Sequence, residues 1–172
     1  MPTAISVAAI TVAVMFILIF TLRKETSSSL LFLSIAVLLA AVLELFDLLA
    51  FCNPEQLYLW KKFSLTTEAI LAPAWLWFSL TYSRQQSEAR TIPIGFRFLL
   101  AASPLLAGVA LFLPASSFLY SPDFVTEKIL FLSTAGFCFY LLILVYLISA
   151  LINLELTFVQ AVPENALETA AC

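Results

Sequence analysis

Glu44 and Asp47, Lys61 and Lys62, and Glu68 are the residues of this 172-residue sequence whose types and spacing invite chemistry. Paired carboxylates act as acid and base in glycoside hydrolysis, where they flank a bond in a water-filled cleft. Here Glu44 and Asp47 interrupt a long apolar run, Leu30 to Phe51. Three residues apart, they share one face of a helix and have no soluble cleft around them, so hydrolysis is not indicated. A carboxylate in the middle of a membrane span costs about 2.5–3.5 kcal/mol on insertion scales unless it faces protein or water. Either Asp47 or Glu44 is therefore expected to pair with Lys61 or Lys62. Two roles fit such a seam: a polar site for a ligand, lipid or proton, or a structural ion pair that holds two helices in register.

Histidine is absent. That excludes Ser-His-Asp and Cys-His catalysis and zinc sites of the HExxH type, and no histidine of this chain can accept a phosphoryl group. Cys52, Cys138 and Cys172 have no metal-ligand or redox spacing. No catalytic residue, cofactor or metal is expected, and no nucleophile has an evident base, so an enzyme is not expected.

The elements that must position these residues follow from composition. Apolar residues make up 63% of the chain and charged residues 11%, against about 45–50% and about 25% in soluble domains. Too little polar surface remains to face water, whereas lipid as solvent removes that difficulty. Five apolar runs, near 4–22, 30–51, 59–82, 94–113 and 129–152, are each about 20 residues long, enough to cross a hydrocarbon core of about 30 Å as helix. Barrel strands would be about 10 residues long and alternating. The fold class is therefore all-α, a polytopic transmembrane bundle of about five helices, with the lipid bilayer as its first partner. Residues 153–172, with Glu155, Glu164 and Glu168 and no Lys or Arg, read as a short acidic, disordered tail. Phe118, Leu119, Tyr120 and Phe124 in the longest loop suit interfacial anchoring.

Arg23, Lys24, Arg84, Arg90 and Arg97 fall on one side of the five crossings, against Lys61, Lys62 and Lys128 on the other. The positive-inside rule then places the N-terminus outside and the C-terminus in the cytoplasm, in a multi-pass protein of the inner (cytoplasmic) membrane. No basic stripe supports nucleic-acid binding.

Within the bundle, Ala36 and Ala40 extend the Glu44 face of the second helix in a small-xxx-small pattern that allows close approach. Lys61, Ser64, Glu68, Ala72, Ser79 and Tyr82 form a matching stripe on the third. Pro73 and Pro104 lie inside spans, where each frees a carbonyl one turn earlier, at Ala69 and Leu100. They are candidate helix kinks, either plain bends or hinges.

The segment Trp60-Lys-Lys-Phe-Ser-Leu-Thr-Thr-Glu-Ala-Ile-Leu-Ala-Pro-Ala-Trp-Leu-Trp-Phe-Ser-Leu-Thr-Tyr82 resembles the third helix of the N-terminal membrane region of PEP-CTERM/exosortase-associated (PrsK-like) sensor histidine kinases. Leu151-Ile-Asn-Leu-Glu-Leu-Thr-Phe158 resembles the short motif after a later helix of that region. The resemblance implies a bacterial membrane input region, active in two-component signal transduction beside a kinase domain or as a homodimer. The phosphoacceptor helix and ATP-binding domain of such kinases have no counterpart here, so kinase activity does not carry over. A fragment, a truncated product or a stand-alone relative is expected. The expected function is a membrane-embedded sensory or anchoring module. The alternatives are a small transporter or channel subunit, or a structural partner in a membrane complex.

Overall fold

The computed structural model describes residues 2–22, 27–86, 92–121 and 130–170. Five long helices dominate: α1 (Pro2–Leu22), α2 (Ser28–Cys52), α3 (Leu57–Gln86), α4 (Ile94–Phe112) and α6 (Thr134–Ala170), with a four-residue helix α5 (Ala115–Phe118) before α6. The protein is an all-α membrane protein. The α2 and α4 helices and residues Thr134–Val159 of α6 are each long and apolar enough to cross a bilayer. Their outward faces are apolar as well: Ile94, Phe98, Leu105 and Phe112 of α4 are all more than two-thirds exposed, a stripe that suits lipid and not water.

The α3 helix is the centre. It packs against α2 most extensively, then against α6 and α4, while α1 packs on α2. Three neighbours explain why α3 is the least apolar of the long helices. Its Ser64, Thr67, Ser79 and Ser83 side chains are buried against protein, where the lipid solvent does not reach them. Leu65, Ala69, Ala72, Leu76, Ser79 and Ser83 of α3 are buried at steps of three and four, and Phe139, Ile143, Tyr146, Ala150, Asn153 and Thr157 of α6 repeat the same spacing. This is the seam of two helices packed nearly parallel to each other's axes. Small α3 residues let α6 come close, and large α6 residues fill the space between them.

Local signals set the ends. Ser27 caps α2 by accepting from the Leu30 N–H. Asn53 closes α2 through its backbone N–H and its side-chain amide, both donating to Leu49 O, and a 3-10 turn from Pro54 to Gln56 reverses the chain into α3. After α4, Leu119–Tyr120 (β1) pairs antiparallel with Phe131–Leu132 (β2), Leu119 opposite Leu132 and Tyr120 opposite Phe131.

Several expected boundaries differ. Phe131 and Leu132, expected in the fifth span, are strand, and α6 begins at Thr134. Phe118 and Leu119, expected as interfacial anchors, are buried in the core, with Phe118 against Phe139 at 5.2 Å between ring centroids. Tyr120 is half exposed and Phe124 lies outside the described residues. Asn153 and Thr157, expected in the polar tail, are buried, because α6 continues along α3 past residue 152. Of the residues that set the expected orientation, Arg23, Lys24, Arg90, Lys128 and the Arg84 side chain also lie outside the described residues, while Arg97 is exposed.

Candidate functional site

The short turn between α2 and α3 brings the expected seam together. Lys61 Nζ donates to Asp47 Oδ1 at 2.7 Å, and Ser64 Oγ donates to the same oxygen at 2.8 Å. Lys61 and Ser64 are one turn apart on α3, so both reach one carboxylate on the facing helix. The pair is about one-third exposed on each side, 31% for the Lys61 side chain and 38% for Asp47. Of the four pairings left open by the sequence, Asp47 with Lys61 is the one formed. Glu44 and Lys62 are partly buried and take no ion-pair partner among the described residues.

Glu68 stands two turns below Lys61 on α3. It faces α6, with the Tyr140 side chain as its neighbour there. Its Oε2 is buried and accepts from no described residue. The seam therefore has two parts, an ion pair between α2 and α3 and a Glu68 carboxylate beside Tyr140 between α3 and α6. Tyr140 was not legible as a member, since it lies in a continuous apolar run; the one available signal is its position on the polar-and-large stripe of α6. Around the pair, Phe46, Trp60 and Phe63 form an aromatic cluster with centroids 5.4–6.3 Å apart. Trp60 Nε1 is buried with no acceptor among the described residues.

A second polar group lies at the other end of the α3–α6 seam. Asn153 Nδ2 donates to Ser79 O at 2.8 Å, and Thr157 Oγ1 donates to Asn153 O at 2.8 Å. Tyr82 and Phe158 meet at 5.9 Å between ring centroids. The Trp60–Tyr82 and Leu151–Phe158 segments, distant in sequence, are thus packed on each other.

Both helix prolines sit inside continuous helices. At Pro104 the freed Leu100 carbonyl is taken by Ser103 Oγ at 2.7 Å, and the neighbouring Leu99 carbonyl accepts from Tyr146 of α6 at 2.6 Å. Pro73 is buried at the centre of α3. Among the described residues, no three His, Cys, Asp or Glu side chains converge as metal ligands.

No protein-family model, curated protein or solved structure matches this chain.

Proposed function

We propose that the protein is a membrane-embedded sensory or anchoring module, resembling the input region of a bacterial sensor histidine kinase, set in the cytoplasmic membrane by five crossings. The N-terminus is outside and the C-terminus cytoplasmic. In that orientation Asp47, Lys61, Ser64, Glu68 and Tyr140 lie in the outer half of the bundle, and Ser79 and Asn153 in the inner half. The module is not an enzyme. Input at the outer seam biases the packing of α3 on α6, and α6 carries the change toward the cytoplasm.

The observation that supports this reading is the buried seam of α6 along the central helix, with Tyr140 beside Glu68 at one level and Asn153 donating to the Ser79 carbonyl at another. A helix packed along its neighbour at both levels passes a shift from one level to the other. Two packings of differing free energy are required for that. The test is a chimera in which this chain precedes the catalytic core of a reporter histidine kinase. Asp47→Asn and Glu68→Gln are expected to change basal autophosphorylation at equal expression. Unchanged phosphorylation in both sinks the sensory reading.

A small transporter or channel subunit is favoured by one feature, the buried Oε2 of Glu68 on the central helix, which accepts from no described residue. Proteoliposome flux separates the two: a substrate- or proton-dependent current abolished by Glu68→Gln establishes transport.

A further inference from the structure

A cavity of about 470 Å³ opens where the ends of α2 and α3 meet the start of β2. Its charged wall is Asp47 and Lys61, and its apolar wall includes Ala50, Phe51, Leu57 and Leu130. The volume is typical of small-ligand sites, which run about 300–1,000 Å³. Asp47 lies five residues before the end of α2 and Lys61 four after the start of α3. At about 1.5 Å per residue the pair is therefore about 6–8 Å below the helix ends. A headgroup layer is about 5–7 Å deep on each side of the hydrocarbon, so the pair sits where headgroups meet acyl chains.

The pair also has unused capacity. Both hydrogen bonds to Asp47 from described residues fall on Oδ1, which leaves Oδ2, and Lys61 directs one ammonium proton at Asp47 and keeps two. A ligand that complements an adjacent carboxylate and ammonium must itself carry a cation with N–H donors and an anion a short link away. We propose that this cavity binds a phosphoethanolamine group, supplied as the headgroup of a membrane lipid. The ligand ammonium donates to Asp47 Oδ2, its phosphate oxygens accept from Lys61, and the glycerol end follows Phe51, Leu57 and Leu130. A choline headgroup has no N–H to give, and a purely anionic lipid can use Lys61 but brings no donor for Asp47 Oδ2.

The proposal rests on the sensory reading only for the placement of this seam in the bilayer. It is tested by binding alone, so its failure is distinguishable from a failure of signalling. The full chain is purified in detergent micelles holding equal amounts of phosphatidylethanolamine and phosphatidylcholine with identical acyl chains, and retained lipid is counted by native mass spectrometry. The ethanolamine lipid is expected to exceed the choline lipid by about fivefold or more, and to lose that lead stepwise as its amine is methylated once and then twice. In the double variant Asp47→Asn/Lys61→Met, with size-exclusion and helical circular dichroism as fold controls, the two lipids are expected to be retained equally. Equal retention by the wild-type protein overturns the proposal whether or not any variant folds, and so does a preference that the folded double variant keeps. Saturable binding of soluble O-phosphoethanolamine without any lipid preference overturns the lipid as the source.

Discussion

Lys61 and Asp47, fourteen residues apart in the chain, meet at 2.7 Å across the α2–α3 turn, with Ser64 donating to the same carboxylate oxygen. Removing one partner leaves the other charge half-buried with less compensation, which costs more than the pair contributes as a whole. Lys61→Met is expected to destabilise the bundle by about 1–2 kcal/mol, less than the cost for a fully buried pair because both side chains are partly exposed. The double variant Asp47→Asn/Lys61→Met is expected to recover part of that loss, with a coupling energy of about 1 kcal/mol. Unfolding in mixed detergent and sodium dodecyl sulfate micelles measures the cycle; strict additivity would remove the pair from any structural role.

Asn153 is almost fully buried and donates to the Ser79 backbone carbonyl, with the Ser79 hydroxyl further away at 3.5 Å. The two side chains should therefore be unequal. Asn153→Ala loses the bond and leaves a void, and is expected to cost about 1–3 kcal/mol. Ser79→Ala keeps the accepting carbonyl and is expected to cost under about 1 kcal/mol. The same unfolding assay compares them, and equal losses would contradict the assigned geometry.

Gly136 begins the close contact of α6 with α5. A methyl group there would strike the Phe118 backbone carbonyl, which also accepts from Ser133 N at 2.9 Å, whereas nothing stands within 4 Å of a methyl group at Gly108. Gly136→Ala is expected to destabilise by about 2 kcal/mol or more as backbone must move. Gly108→Ala is expected to be neutral, or stabilising by up to about 1 kcal/mol through helix propensity. Melting temperatures of the two variants in one detergent decide the point.

Ser103 satisfies the carbonyl that Pro104 leaves open at Leu100. Ser103→Ala is expected to cost about 0.5–1.5 kcal/mol in the native sequence. In a Pro104→Ala background the backbone N–H returns to that carbonyl, and the same change is expected to cost almost nothing. A double-mutant cycle that shows no coupling between the two positions would refute the capping role.

Cys52 is exposed at the α2–α3 turn. In a Cys138→Ser/Cys172→Ser background, a membrane-impermeant maleimide is expected to label Cys52 in intact cells without permeabilisation. Labelling only after the membrane is opened reverses the proposed orientation.

The α2–α3 half of the seam was legible in the sequence because a short turn forces antiparallel neighbours and opposite charges at matching depth must meet. The choice of Asp47 over Glu44 was not, since both lie on one helix face and a fraction of a turn separates them. Tyr140 and Asn153 escaped for a different reason. One is aromatic in an apolar run and the other follows the run's apparent end, and only the three- and four-residue spacing of α6 links them. The β1–β2 pair was invisible because two-residue strands carry no periodicity. Glu68 and its neighbours stood out, but their orientation toward α6 depends on which helix lies third against α3, and charge counting carries no information on that.

The central position of α3 bears on how the chain enters the membrane. Glu68 makes this helix a poor candidate to leave the translocation machinery for lipid alone, since a charge at mid-span opposes partitioning by up to about 3 kcal/mol. Its two lysines and Asp47 sit at the turn end of a helical hairpin, where the Asp47–Lys61 bond can close before either helix is released. In the proposed five-crossing arrangement the α2–α3 hairpin is expected to insert as one unit, because α3 by itself is not apolar enough to cross.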